Sequence, residues 1–256
     1  MLRYFIRRVR DQRFIVRPRV VVAVPAGLND VERRAVKESA LLAGASEVYL
    51  IEEAVAAAIG AGFDVTAPTA TMLVDIGGGT TEVAVLSCSG IVYSRSTRIG
   101  GDKMDEAIIQ YIRRTYHLLI GEQTAERVKI MIGSAYPEPE MTSMEIKGRD
   151  LVADAPKTLE IKSEEVRAAL AEPINGIVDR VKIALEGISP ETSADIAENG
   201  ITLCGGGSLL ANLDALLRHA TKLPVVRAED PLTTVAVGAG KCLEDPILRQ
   251  RLAIRP

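Results

Sequence analysis

An α/β fold is what this sequence predicts, and three observations carry that expectation. Residues 20–24 form a continuous β-branched apolar run that ends at Pro25; a capped helical segment, a second apolar run and an Ala-rich segment follow. Two more apolar runs, 72–74 and 83–86, flank the turn Asp75-Ile76-Gly77-Gly78-Gly79-Thr80-Thr81. A third buried-type run at 201–204 leads into Gly205-Gly206-Gly207-Ser208 and a helical pattern.

The elements follow in order. Leu2, Phe5, Ile6 and Val9 fall at i, i+3, i+4 and i+7, the spacing of an amphipathic helix. Residues 1–19 carry seven arginines against the single Asp11, and the apolar triplet Phe14-Ile15-Val16 sits between Arg13 and Arg17. Two readings stand for this segment: a domain helix with solvated arginines, or contact with an anionic membrane surface. Residues 20–24 read as a buried strand. Asn29 or Asp30 can cap a helix to about residue 43, which Gly44 stops. Residues 48–51 are a second strand, and Glu52-Glu53 opens an Ala-rich helix over 54–61. After the glycine hairpin, further strand is expected at 91–94 and 96–99, then a Gly100-Gly101-Asp102 turn and helices at about 103–116 and 124–132. Pro137-Glu138-Pro139-Glu140 marks a break. Beyond it come short strands at 143–147 and 158–161 and a long helix from about 163 to 186, interrupted by Pro173. After residues 201–208, a helix over 209–220, a short strand at 225–226 and a Gly/Ala-dense helix over 233–244 close the pattern.

Composition excludes several classes. Hydrophobic residues make up 47% and charged residues 25%, as in a globular chain. Aromatics are 4% with no Trp, which leaves no stacking platform for single-stranded nucleic acid; the net charge of −3 gives no pull toward polyanions. Nucleic acid is therefore not an expected partner. The three cysteines, Cys88, Cys204 and Cys242, are far apart and lack CxxC or His/Cys spacing, so zinc is not expected and a reducing cytosol is. No apolar run approaches the roughly 20 residues that a membrane-spanning helix needs.

Several motifs fail on inspection. Gly240-Lys241 resembles the end of a P-loop, but Val235 stands where the first glycine belongs and Cys242 replaces the Ser/Thr. Gly77-x-Gly79 and Gly205-x-Gly207 lead to Glu82 and Leu210 instead of a third glycine, so neither is a dinucleotide fingerprint. The only histidines, His117 and His219, have no nucleophile at readable spacing.

Four pieces survive, each with a plain alternative. A glycine turn after a strand-terminal carboxylate suits a phosphate and its hydrated Mg²⁺, with Asp75 orienting the ion; an ordinary hairpin turn is the other reading. Gly205–Ser208 places bare backbone at a strand–helix junction where a nucleotide could sit, or is simply a tight turn. Glu126 and Lys129 share one helical face and could hold a ribose and a base, or form a solvated ion pair. Glu53, between a buried strand and a helix, could orient a water for attack on a terminal phosphate, or compensate the helix dipole. Together they describe a nucleotide held between two lobes.

In order, these pieces resemble the actin, Hsp70 and sugar-kinase ATPase superfamily. Val24-Pro25-Ala26 with Asn29-Asp30 and Arg33, Ala43-Gly44, and Ile51-Glu52-Glu53 with Ala56-Ala57-Ala58-Ile59 look like its first lobe. Asp75–Thr80 is similar to its second phosphate loop, Gly100-Gly101-Asp102 with Met104-Asp105 to the turn and helix after it, and residues 203–210 to its adenosine motif. Val31-Glu32-Arg33-Arg34-Ala35, Thr81-Glu82-Val83, Thr124-Ala125-Glu126-Arg127 and Ile132-Gly133-Ser134 read like the MreB family of bacterial actins in particular.

The resemblance implies an actin-like, ribonuclease H-like two-lobe ATPase that uses ATP and Mg²⁺. It implies polymerisation into filaments with itself, on the inner face of the cytoplasmic membrane, guiding the cell-wall elongation machinery and rod shape. By that likeness Glu53 is catalytic and Asp75 organises Mg²⁺ through water. Gly77, Gly78, Gly79 and Thr80 hold β/γ-phosphates, Glu126, Arg127, Val128 and Lys129 the ribose and adenine side, and Gly205, Gly206, Gly207, Ser208 and Leu209 the adenosine edge. Phe14, Ile15 and Val16 match the place where the family inserts apolar residues into lipid. The expected organisation is a partial first lobe over 1–66, a second lobe over 67–133 and 197–245, a small inserted subdomain over 134–196 and a tail over 246–256. Two departures stand out. Ala54 follows the Glu where the family usually has Pro, and no Asp-x-Gly-Thr hairpin precedes residue 20. The expectation is thus a first lobe without its first phosphate loop, either from a start site placed too late in the gene, which is favoured, or because the chain is a truncated relative. A non-hydrolysing scaffold or filament-capping module is the alternative function.

Overall fold

The computed structural model describes residues 2–9, 17–88, 90–137 and 140–252. Among these, the chain begins with α1 (Leu2–Val9), β1 (Arg19–Val24), α2 (Asp30–Ala43), β2 (Glu47–Glu52) and α3 (Glu53–Gly60). It continues through β3 (Thr71–Ile76), β4 (Thr81–Ser87), β5 (Gly90–Thr97), α4 (Gly101–Tyr116), β6 (Leu118–Leu119) and α5 (Glu122–Ile132). Then come β7 (Ser143–Asp150), β8 (Pro156–Lys162), α6 (Ser163–Glu186), α7 (Pro190–Asn199) and β9 (Ile201–Cys204). A 3₁₀ turn (Gly206–Leu209), α8 (Leu213–Thr221), β10 (Val225–Arg227), α9 (Thr234–Glu244) and α10 (Pro246–Leu252) complete the order.

Local chemistry sets the boundaries. The Asn29 side chain accepts from the Glu32 N–H and the Glu32 carboxylate accepts from the Asn29 N–H, both at 2.9 Å, a reciprocal cap that starts α2. Gly44, in the left-handed region at φ 116°, ends it. That helix carries the chain from β1 to the parallel β2, so the first sheet is a strand–helix–strand unit.

The second sheet has the order β10-β9-β3-β4-β5, with β9 parallel to both β10 and β3 and the β3-β4-β5 meander antiparallel. Its alternating side chains serve two cores. Met72, Val74, Ile76, Val83 and Val85 pack with α4, α5 and α6 residues such as Met104, Val128 and Ile177. Leu73, Ala84, Leu86 and Cys204 face the opposite way and pack with Ala54, Val55 and Ala58 of α3. A third sheet, β6-β7-β8, is antiparallel.

The helices α3 and α9 touch backbone to backbone. A Cβ at Gly60 would lie 1.8 Å from the Thr234 carbonyl oxygen, and one at Gly238 would lie 1.7 Å from the Ala56 carbonyl oxygen. Only glycine permits this crossing, which packs α9 directly on α3, the helix that Glu53 opens.

The structure departs from the sequence expectations at several points. Pro173 does not interrupt the long helix: α6 is continuous from Ser163 to Glu186. Its apolar stripe, Val166, Leu170, Ile174, Ile177 and Val181, is buried on both sides of the proline, and that packing outweighs the one backbone hydrogen bond proline removes. The helix expected over 209–220 is a 3₁₀ turn followed by α8, parted at Asn212, whose backbone is left-handed at φ 57°. The two strand pieces expected at 91–94 and 96–99 are the single strand β5. The short β6 and the helix α7 escaped the sequence reading. The segment read as a tail opens with α10, where Arg249 stacks over the Tyr49 ring at 5.1 Å and donates to the Leu243 carbonyl at 2.8 Å. Phe14, Ile15 and Val16 lie outside the described residues.

Candidate functional site

The glycine turn closes between β3 and β4, where Ile76 pairs with Thr81 and the Gly77 N–H donates to the Thr80 carbonyl at 2.8 Å. Its back is pinned to the start of α4: Gly101 N–H donates to the Gly77 carbonyl at 3.0 Å, and Asp102 N–H to the Gly78 carbonyl at 2.8 Å. Among the described residues, the N–H groups of Gly78, Gly79 and Thr80 make no backbone hydrogen bond. The turn therefore offers donors on its open side while the Gly77 and Gly78 carbonyls are occupied behind, the polarity an anion requires.

Asp75, the last residue but one of β3, lies on the face that looks toward α3, and Glu82 lies directly opposite it in the β3–β4 register. Only 7% of Asp75 and 5% of Glu82 is exposed. Glu53 is the first residue of α3, half-buried above this face. Burial pushes the Asp75 carboxyl up to about 6, the negative charge of Glu53 adds to the shift, and a hydrogen bond from Cys204 opposes it. Glu53 is raised by burial, and Glu82 by burial against the hydrogen bond it accepts from Ser94 Oγ at 2.8 Å. The Cys204 thiol is held well above the ordinary thiol range by its burial and then by the Asp75 charge, so it stays protonated. Three carboxylates thus converge with no lysine or arginine bridging them among the described residues.

Gly205 approaches this group from β9. It sits in the left-handed region at φ 78°, and a Cβ there would meet the Asp75 Oδ1 at 2.3 Å and the Ile76 carbonyl oxygen at 2.4 Å. The backbone after β9 can therefore lie directly over the end of β3 only as glycine. Ser208 is fully buried, its hydroxyl donating to the Gly205 carbonyl at 2.7 Å, which closes the 3₁₀ turn from inside.

A cavity of about 460 Å³ opens between these parts. One wall is the glycine turn and the start of α4, with Gly77, Gly78, Asp102 and Asp105. A second is α5, with Glu126, Lys129 and Ile130; the third is the stretch after β9, with Gly206, Gly207 and Leu209. Lys129 crosses from α5 to α4, its ammonium donating to the Gly101 carbonyl at 3.1 Å and lying 2.9 Å from the Asp105 carboxylate. Burial raises Asp105 even against that cation. Glu126, one turn before Lys129, is exposed to the cavity. The apolar side chains Ile130, Leu209 and Leu232 stand 70%, 47% and 69% exposed along its rim, a cost that a flat apolar ligand would relieve.

The structure thus brings Gly77, Gly78, Glu126, Lys129, Gly206, Gly207 and Leu209 to one cavity. It does not bring all the expected residues there. Val128 is fully buried in the core beside Met104, and Arg127 is exposed away from the cavity lining, because each α-helical step rotates the side chain by about 100°. Gly79 and Thr80 are exposed at the tip of the turn, outside this cavity. Glu53 and Asp75 line its neighbouring carboxylate group. Sequence reasoning missed Asp105, Ile130 and Leu232 as cavity residues, because only tertiary packing brings them beside Glu126 and Lys129.

A family model described as MreB/Mbl protein matches residues 1–250. Over 245 residues the chain is 57% identical to the cell shape-determining protein MreB of Escherichia coli, spanning 95% of this chain and 71% of that protein. The crystal structure of MreB5 of Spiroplasma citri bound to ADP superposes with a TM-score of 0.91 at 40% identity, covering 97% of this chain and 74% of that one. The same protein bound to AMPPNP gives a TM-score of 0.87 at 39% identity, covering 91% and 71%.

Proposed function

The chain belongs to the MreB/Mbl family of actin-like proteins, and from that membership we propose that it binds ATP with Mg²⁺ in the cavity described above and hydrolyses it. The observation that carries this reading is the convergence of a donor-rich glycine turn, an unbridged carboxylate group and an apolar-rimmed cavity at one sheet end. The cavity's size falls in the range of small-molecule sites. Both solved MreB5 structures hold adenine nucleotides.

In this reading the open N–H groups of Gly78, Gly79 and Thr80 bind the terminal phosphates. Glu126 accepts from ribose hydroxyls, and Ile130, Leu209 and Leu232 cover the base. The residues fit a hydrated divalent ion: among the described residues Asp75 is a buried carboxylate with no basic partner, and no three His, Cys, Asp or Glu close on a metal directly. Asp75 would hold the ion through its water shell. When bound, Mg²⁺ supplies charge neutralisation to the phosphate oxygens. Glu53, across from Asp75, orients the attacking water and accepts its proton, a role suited to a carboxyl raised toward neutrality by burial.

We further propose assembly into filaments with other copies of the chain, seated on the inner face of the cytoplasmic membrane and guiding the cell-wall elongation machinery. No helix among the described residues is long and apolar enough to cross a membrane. What supports surface attachment is α1, where Tyr4 and Phe5 stand 59% and 53% exposed beside Arg3 and Arg8. In this reading the apolar triplet Phe14-Ile15-Val16 of the sequence also enters the lipid. Sedimentation and vesicle flotation test the assembly. Pelleting is expected to require ATP and Mg²⁺, and flotation to require anionic lipid, with Ile15 and Val16 both replaced by serine weakening lipid binding about tenfold or more. Equal pelleting without nucleotide, or flotation with neutral lipid alone, would contradict the reading.

A further inference from the structure

Beyond the residues that touch the cavity, a small polar knot ties two of its walls together at one end. After α5, the strap formed by residues 133–136 pairs in parallel with Ala211, through a bridge at Ser134 and an Ala135 N–H that donates to the Ala211 carbonyl at 2.8 Å. Ser134 is 1% exposed. Its hydroxyl donates to the Tyr136 carbonyl at 2.7 Å and accepts from the Asn212 side-chain amide at 3.0 Å. The left-handed backbone at Asn212 separates the 3₁₀ turn from α8 and aims that amide back at the strap. Tyr136 packs its ring 5.8 Å from the His219 ring of α8, which keeps the strap pressed on that helix.

The consequence is geometric. Glu126, Lys129 and Ile130 sit on the helix that runs directly into Gly133 and Ser134. Gly206, Gly207 and Leu209 sit on the turn that runs directly into Ala211 and Asn212. The knot is therefore a point at which the α5 wall and the glycine wall are joined by side chains. We infer that Ser134 and Asn212 are positioning residues that set the spacing of these two walls, and through it the affinity for the nucleoside half of the ligand. This rests on the nucleotide reading of the cavity. Neither side chain lines the cavity, so both act through the residues that do. Either substitution breaks the hydrogen bond that ties the strap to Asn212, and the loop 205–212 relaxes away from α5.

The test is a double-mutant cycle on the dissociation constant of a fluorescent ATP analogue, using Ser134→Ala, Asn212→Gly and the pair. Glycine at 212 keeps the left-handed backbone, so this variant folds even if Ser134→Ala does not. Circular dichroism and melting curves on the same samples separate folding from binding. Each folded single variant is expected to raise Kd about tenfold, and the pair about tenfold as well, because both changes break one knot. A merely structural role would lower the melting temperature and leave Kd unchanged in the folded protein. Unchanged Kd in a folded variant, or a multiplied loss of about a hundredfold in the pair, would overturn the inference. A wild-type chain that binds no analogue would instead overturn the nucleotide reading beneath it.

Discussion

Replacing Glu53 with alanine is expected to lower steady-state ATP turnover by about a hundredfold or more while changing nucleotide affinity by less than about threefold. The split follows from where Glu53 sits. It opens α3, outside the cavity that α5 and the glycine turns enclose, and faces the end of β3 beside Asp75. In the proposed site a residue there would meet the far end of the phosphate chain and not the base or ribose. Burial raises its carboxyl, which brings proton acceptance closer to neutral pH. Glu53→Gln keeps the shape and removes the base, so it is expected to match the alanine variant. Phosphate release and binding of a fluorescent ATP analogue measure the two halves. Clear turnover by Glu53→Ala would assign the chemistry elsewhere. An intact chain that binds nucleotide with no turnover would favour the non-hydrolysing scaffold.

Asp75→Asn is expected to make the nucleotide-free protein more stable at neutral pH and to abolish the Mg²⁺ dependence of nucleotide affinity. The native carboxyl is lifted from 3.8 to about 6, chiefly by burial. A carboxyl raised in the folded state binds its proton there more tightly than in the unfolded chain. Its contribution is most favourable below the unfolded value and is lost as pH rises from about 4 through about 6. Above that window the ionised side chain costs roughly 2–3 kcal/mol, which asparagine removes. Urea unfolding from pH 4 to 8 is expected to show a stability decline in the wild type that is flatter in the variant. Chelating Mg²⁺ is expected to raise the wild-type Kd for ATP and leave the variant's unchanged. A variant that is less stable at neutral pH, or that retains the Mg²⁺ effect, would contradict this role for Asp75.

These two carboxylates show how far local pattern reaches. The strand-ending Asp75, the glycine turn after it and Glu53 at a strand–helix junction are all short-range features. Periodicity and turn chemistry place them without knowledge of the rest of the chain. The α5 residues show where a motif misleads. Ala125, Val128 and Ile132 are its buried stripe, and Glu126, Lys129 and Ile130 share another face. Reading 126–129 as one binding block took no account of that rotation, which turns the Val128 side chain into the core.

Other features had no local signal. The Asp105–Lys129 pair joins α4 to α5, and the apolar rim joins α5 to residues some eighty and a hundred positions later, so only tertiary packing creates them. Pro173 gives a strong local signal for a break, and the buried stripe of α6 overrides it. Asn212 carries a weak signal for a left-handed residue within an otherwise helical pattern, and the chain turns there.

Photolabelling with 8-azido-ATP, followed by peptide mapping, addresses the central claim most directly, because it reports where the base lies. The expected label falls within residues 126–132 or 206–212 and is suppressed by excess ATP. Label confined to other segments, or label that ATP does not displace, would contradict a nucleotide site in this cavity.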